Sequence, residues 1–217
     1  MLALIYDVHG NLPALDAVLE DAQADRYLLG GDYVAFGGWP AECLERLRGL
    51  ENATWIRGNT ERWLVEPPDD ATIRAALDAA RVTLSPVAVG FVTRLPERVT
   101  LPEGCFCHAS PLNDMESFGV EAQDGEDRLL DGVEARRVVF GHTHVQFRRL
   151  REDGIELINP GSVGIPLDGD HRAAYAVIGN DGDVELRRVA YDHELAAAKA
   201  REVAGDVYAE RILNARF

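Results

Sequence analysis

The sequence predicts an α/β fold built on mixed β-sheets, and three observations carry that expectation. Short apolar runs alternate with amphipathic, helix-spaced stretches through the first third of the chain. The last third changes to closely spaced short strands separated by turn residues. Several apolar runs stop abruptly at a carboxylate, amide or imidazole beside a glycine. At 217 residues, 47% of them hydrophobic, the chain is sized for one domain over residues 1–217 with a full core.

Residues 2–5 are an apolar run of strand length, and Asn11 stands where it can cap the helix that Pro13 opens. Leu12, Leu15, Val18 and Leu19 recur at helical spacing, which predicts a helix over 13–23. Residues 27–29 read as a second strand. Pro40 opens a second helix with Cys43, Leu44, Leu47 and Leu50 on one face, and residues 53–56 read as a third strand. Such a βαβαβ series implies parallel strands with right-handed crossovers. Glu66-Pro67-Pro68-Asp69-Asp70 then breaks the pattern. A helical excursion follows at about 66–95: Ile73, Ala76, Leu77 and Ala80 mark one helix, and residues 87–95 a second after Ser85-Pro86. It reads either as packed helices or as a lid. Residues 99–101, 105–107 and 137–140 read as strands, with a short helix expected over 124–132. Short strands follow at Val145 and Phe147, 155–158, 173–178 and 184–189, with Asn180-Asp181-Gly182 as a hairpin turn. An Ala-rich helical segment over 193–217, broken at Gly205, packs either on its own domain or on a second subunit.

The formal net charge of −15, with no long block of like charge, disfavours non-specific binding to nucleic acid or anionic membrane. An anionic substrate would need bound positive charge. Cys43, Cys105 and Cys107 make no disulfide framework, and Cys105 and Cys107, two apart in a strand, are expected to face the core. There is no basic leader and no membrane-length apolar run, so a cytoplasmic location is expected.

The chemistry gathers at strand ends. The first strand ends in Asp7 and His9, whose i, i+2 spacing aims both side chains the same way. The second ends in Gly31-Asp32, the third in Gly58-Asn59, a later one in His108, and another in Gly141-His142-Thr143-His144. Each alone also reads as something plainer: Asp7 and His9 as a charged turn, Gly31-Asp32 and Gly58-Asn59 as turns, His108 as a hydrogen-bonded surface residue. Sites in α/β sheets form at the carboxyl ends of strands, so seven N/O donors, among them four of the six histidines, fall on one rim. Hard oxygen and borderline nitrogen donors together suit divalent metal.

In Asp7-Val8-His9-Gly10-Asn11, Gly31-Asp32, Gly58-Asn59-Thr60-Glu61, His108, Gly141-His142-Thr143-His144 and Asn159-Pro160-Gly161-Ser162-Val163-Gly164, the chain resembles the calcineurin-like metallophosphoesterases, within them the small bacterial and archaeal phosphodiesterase branch. The resemblance implies a four-layer αββα sandwich of two mixed sheets flanked by helices. It implies two divalent transition-metal ions (Mn, Fe, Ni, Co or Zn, with Mn favoured): Asp7, His9 and His144 on one, Asn59, His108 and His142 on the other, and Asp32 bridging. It implies a metal-bridging hydroxide that attacks phosphorus in line, on a small phosphorylated substrate. Arg57 resembles the arginine that relatives aim at phosphate; it also reads as a surface ion pair. Thr60 stands where many relatives carry a histidine that binds phosphate or protonates the leaving group, so the resemblance places it with Arg57 at the phosphate; its hydroxyl can donate a hydrogen bond but is a poor general acid near neutrality. Aryl esters or activated diesters are therefore expected to turn over faster than alkyl monoesters. Tyr6 stands where serine is common, with only a packing consequence expected. Asn11 reads as a helix cap, as support for the metal site, or both; the Ser162 loop is expected to position His144 and close one side.

The expected activity is a di-metal phosphoesterase, a phosphodiesterase in the first instance. A phosphomonoesterase acting on phosphoprotein or a dinucleoside polyphosphate is the second enzymatic reading. A non-catalytic scaffold, as in the retromer subunit of this fold, is the reading from another class, and the complete donor set argues against it. Specificity is expected in the excursion over 60–105 and the loop over 111–124. Both monomer and homodimer remain open.

Overall fold

The computed structural model describes residues 1–216. The first part of the chain gives β1 (Leu2–Ile5), α1 (Leu12–Ala22), β2 (Arg26–Leu29), α2 (Pro40–Arg48), β3 (Ala53–Trp55), α3 (Asn59–Trp63), α4 (Ala71–Thr83) and α5 (Pro86–Val92). Then follow β4 (Arg98–Leu101), β5 (Gly104–Cys107), β6 (Arg137–Val139), β7 (Phe147–Leu150), β8 (Glu156–Asn159), β9 (Ala173–Ile178), β10 (Val184–Val189), α6 (His193–Val203) and α7 (Asp206–Asn214).

The strands form two mixed five-stranded sheets, in the orders β10-β9-β1-β2-β3 and β4-β5-β6-β8-β7. β1, β2 and β3 are parallel, as the βαβαβ pattern requires, and β9 returns antiparallel beside β1. In the second sheet β5, β6 and β8 are parallel, with β4 and β7 antiparallel at the edges. Leu2, Leu4 and Leu28 of the first sheet and Phe106, Val139 and Ile158 of the second share one apolar layer, so the sheets pack face to face. Tyr6 fills the same layer. Its hydroxyl donates to Val139 O at 3.3 Å, and its ring occupies the space that a Cβ on Gly30 would need.

Helices α1, α2 and α4–α7 cover the outer face of the first sheet through one continuous cluster that includes Leu15, Leu44, Leu77, Val92, Ala200 and Ile212. The excursion is therefore packed helix, and the C-terminal pair packs on its own chain. Side-chain caps start these helices. Asn11 accepts from Ala14 N, Asp70 from Thr72 and Ile73 N, Ser85 from Ala88 N, and Asp192 from Leu195 N. Gly205, at φ 100°, separates α6 from α7. Phe217, included in the expected C-terminal helix, lies outside the described residues.

The outer face of the second sheet is covered more thinly. Cys105, Cys107 and Phe140 pack there against Phe118, Leu129 and Leu130, and the three cysteines are free and buried. The helix expected over 124–132 is a 3₁₀ helix, Glu126–Leu130. Gly125 and Gly132, at φ 77° and 71°, bend the chain on either side and leave room for little more than one turn. α3 stands where the sequence predicts only a turn after the third strand.

Candidate metal centre

Asp7 and His9 follow β1, Asp32 follows β2, Asn59 opens α3 after β3, His108 follows β5, and His142 and His144 follow β6. Seven side chains from both sheets thus meet at one rim. All are buried except His142, which is half-buried. Five of them hold left-handed backbone: Asp7 (φ 54°), His9 (48°), Asp32 (58°), His142 (67°) and His144 (59°). Each such residue costs about 1–2 kcal/mol, and strain concentrated in this way marks a site that the surrounding structure over-determines.

Each aspartate has one oxygen tied to the protein and one turned to the centre. Asp7 Oδ2 accepts from His142 N at 3.0 Å, while Oδ1 lies 3.4 Å from His144 Nε2, 3.8 Å from His9 Nε2 and 3.9 Å from His108 Nε2. Asp32 Oδ1 accepts from Thr60 N at 2.9 Å and Thr60 Oγ1 at 2.8 Å, while Oδ2 lies 3.5 Å from His108 Nε2 and 3.7 Å from His9 Nε2. Glycine is required beside both. A Cβ on Gly58 would stand 2.2 Å from Asp32 Oδ1, and one on Gly141 2.3 Å from Asp7 Oδ2.

The imidazoles are oriented by carbonyls. Nδ1 donates to Ala35 O in His9 (3.2 Å), to Gly30 O in His108 (2.9 Å) and to Ile165 O in His144 (2.7 Å). A carbonyl only accepts, so the proton sits on Nδ1 and the Nε2 lone pair faces inward. His142 presents Nδ1 instead, 2.9 Å from Asn59 Oδ1, which is also 2.9 Å from His108 Nε2.

Left to themselves, these donors conflict. His9 Nε2 and His144 Nε2 are 3.0 Å apart, and Asp7 Oδ1 is buried with no hydrogen-bond partner. A cation resolves both conflicts, so the donor set fits divalent metal. Two groups, Asp7-His9-His144 and Asp7-Asp32-His108, have all their ligand atoms within 4.8 Å of one another. Asn59 and His142 extend the second group. Burial favours protonating Asp7, yet the imidazoles of His144, His108 and His9 outweigh it and hold the carboxyl far below the usual range. Burial, then His144, drives His9 well below its ordinary value; burial, then His108, takes His142 down to about 4. Both rings are thus neutral at neutral pH, the form that can ligate a cation. In His108 burial is outweighed by Asp32 and Asp7, which raise it.

Two expectations are corrected. Arg57 does not face the centre: its guanidinium donates to Glu97 Oε1 and to Thr93 O, because the segment after α5 packs over the end of β3, where Arg57 N donates to Pro96 O at 2.7 Å. Thr60 does not line the cavity beside the centre: it is fully buried, and its hydroxyl donates to Asp32. Asn11 does both things expected of it, capping α1 and donating Nδ2 to Gly164 O at 2.8 Å. Ser162 Oγ donates to Asp7 O and accepts from Ile165 N, both at 2.8 Å, and Ile165 O holds His144.

Glu61 and Asn159 lie within the motifs, and packing gives each a role that the sequence alone does not show. Glu61 is buried and accepts from the backbone N–H of Asp32 (2.8 Å), Tyr33 (2.8 Å) and Gly58 (2.9 Å). Burial and the Asp32 charge push its carboxyl up to about 7. Its signal is a glutamate three residues after the N-cap glycine, the spacing of a capping box. Asn159 Nδ2 donates to Gly141 O and Thr143 Oγ1, both at 2.9 Å, and so secures the His-Thr-His turn.

A cavity of about 350 Å³ opens onto His9, Asp32, Asn59, His142 and His144. Its other walls come from Phe36, from Trp63 of α3, from the start of α4, from Ile165 and Leu167, and from α7; the 111–124 loop does not reach it. A larger cavity of about 590 Å³ lies at the opposite ends of β5 and β6, among Arg98, Glu103, Arg137 and Glu156, and touches none of the seven donors. Among the described residues no helix is long and apolar enough to cross a membrane.

Two face-to-face mixed sheets with aspartate, asparagine and histidine donors along one rim define a metallophosphoesterase-type fold. The chain belongs to the calcineurin-like phosphoesterase superfamily, whose domain matches residues 1–183. An uncharacterized protein of Methanocaldococcus jannaschii is 30% identical, the match covering 92% of this chain and 91% of that protein. The crystal structure of a metallophosphoesterase from Sphaerobacter thermophilus is similar with a TM-score of 0.87 at 27% identity, covering 99% of each chain. A hypothetical protein from Pyrococcus horikoshii shares the fold with a TM-score of 0.84 at 18% identity, again covering 99% of each chain.

Proposed function

We propose that this protein is a phosphoesterase, a phosphodiesterase in the first instance, that works with two divalent transition-metal ions. Asp7, His9 and His144 would hold one, Asn59, His108 and His142 the other, and Asp32 would serve both. The carrying observation is the convergence of three inward-facing Nε2 atoms on the unpartnered Asp7 Oδ1. Bound metals would lower the pKa of a water and offset charge on phosphoryl oxygens. The imidazole-rich set suits Mn, Fe, Co, Ni or Zn better than Mg, and we favour Mn.

The chain's own residues supply the rest. The tethered oxygens of Asp7 and Asp32 keep their partner oxygens aimed, and the carbonyl-held rings need no reorganisation. Two carboxylates against two divalent ions leave a local positive excess, so an anionic ester can settle in a protein of net charge −15. Thr60, committed to Asp32, is no proton donor to a leaving group, which favours esters of acidic alcohols.

The test is metal-reconstituted protein offered a bis-aryl phosphate, an aryl phosphate, an alkyl phosphate and 2′,3′- and 3′,5′-cyclic nucleotides. The bis-aryl ester is expected to turn over fastest, and His142→Ala to lose roughly a hundredfold. A loaded protein inert toward every ester, or a His142→Ala variant with wild-type rates, overturns the reading.

A further inference from the structure

We propose that Asp168 is a positioning residue for His144. Through the strap of residues 165–169 it fixes where His144 Nε2 points, and so governs the affinity of the ion that Asp7, His9 and His144 would hold. This rests on the two-metal reading and adds to it a residue, outside the sequence motifs, on which one ion depends and the other does not.

The strap grips His144 on both sides. Ile165 O accepts from His144 Nδ1 at 2.7 Å, and Leu167 N donates to His144 O at 3.2 Å. Two residues beyond His144, Gln146 N donates to Asp168 Oδ2 at 3.0 Å. Residues 144–146 are thus laced to 165–168, and the last tie is made by a side chain. His144 holds φ 59°, a conformation that persists only where the surroundings impose it. The rings of His9 and His108 are oriented instead by Ala35 O and Gly30 O, both after β2, which lie outside the strap.

Asp168 is anchored in turn. Arg188 of β10 donates to Asp168 Oδ2, to Gln146 Oε1 at 3.1 Å and to Asp170 O at 3.1 Å. Gln146 Nε2 donates to Pro160 O, Tyr175 O and Arg187 O at 3.0, 3.1 and 3.0 Å. The guanidinium therefore joins the end of the strap to the residue that precedes β7. The Asp168 and Arg188 side chains are each 14% exposed, and in so shielded a pair the loss of one charge strands the other. Asp168 Oδ1 is buried with no hydrogen-bond partner, so the bonds of this side chain run through Oδ2. The near end of the strap is held separately, by Ser162 Oγ on Ile165 N at 2.8 Å. The far end rests on Asp168 and on Gly169 N, which donates to Ala215 O at 2.9 Å.

The experiment is equilibrium dialysis against manganese, with bound ion counted by atomic absorption over a range of free concentrations. Wild type is expected to retain two ions per chain. Asp168→Ala is expected to weaken one ion by roughly ten- to a hundredfold and to leave the other unchanged. Asp168→Asn, whose carboxamide oxygen can still accept from Gln146 N, is expected to recover part of the loss, and Arg188→Met to reproduce it. Added to His144→Ala, Asp168→Ala is expected to change nothing further; added to His142→Ala, it is expected to weaken the remaining ion as well. Glu156→Gln, which loosens the Arg137 and Arg148 pairs at the remote cavity, is the stability control and is expected to lower Tm with both ions kept. Wild-type binding in both Asp168→Ala and Arg188→Met, or equal weakening of the two ions, overturns this proposal alone. A wild type that takes up no ion overturns it together with the two-metal reading.

Discussion

Thr60 shows how a buried residue can fix the carboxylate of another without itself reaching the cavity. Its amide and hydroxyl both end on Asp32 Oδ1, which fixes the carboxylate plane and leaves Oδ2 for the centre. Thr60→Val removes one of these bonds at nearly constant volume. It is expected to cost about 1 kcal/mol of stability and roughly tenfold or more in metal affinity, measured by competition with a chromogenic chelator; Thr60→Ser should restore the affinity. The seven donors were legible because strand periodicity alone places each at a strand end. The roles of Arg57 and Thr60 were not, because they depend on Glu97 and Asp32, partners brought together by packing. Glu61 lies within a motif, but its three backbone donors come from two separate turns that no local pattern connects.

At the scale of elements, helix caps and apolar spacing placed α1, α2, α4 and α5 to within a few residues, because those signals are local. The 3₁₀ helix is different, since its position depends on distant charges. Glu126, 8% exposed, accepts from Arg149 at 2.7 Å and also pairs with Arg151, one strand away in sequence. Hydrogen bonding to Arg149, with the charges of both arginines, outweighs burial and holds the carboxyl below its ordinary value. A depressed folded-state pKa gives stability that is present above the unfolded-state value and lost as pH falls through the folded one. Glu126→Gln should therefore cost about 2 kcal/mol at pH 7, and the gap from wild type should close as pH drops below about 4. Urea denaturation at several pH values checks both parts. The placement of α7 was likewise beyond local reading: its sequence announces a helix, but only the Phe36–Tyr208 stack seats it against the cavity.

For the molecule as a whole, the parallel start of the first sheet follows from periodicity, whereas the second sheet and the sandwich were legible only through the order of the motifs. The packed fold crowds unprotonated nitrogens and carboxylates together and holds five of the donors in left-handed backbone. Cations that bind only the folded form shift the unfolding equilibrium. At a hundredfold excess over Kd each occupied site adds about 2.7 kcal/mol, or roughly 5–10 °C for a chain of this size. Calorimetric scans of the manganese-loaded protein should show this rise, and EDTA should reverse it.

The division of the donors between the two sheets has a consequence for assembly. Asp7, His9, Asp32 and Asn59 belong to the N-terminal third of the chain, and the other three imidazoles arrive only with β5 and β6. A nascent or half-folded polypeptide therefore offers an oxygen-rich half-cage. Tight ion capture has to wait until the layers close, so uptake of metal during refolding would time the docking of the two halves.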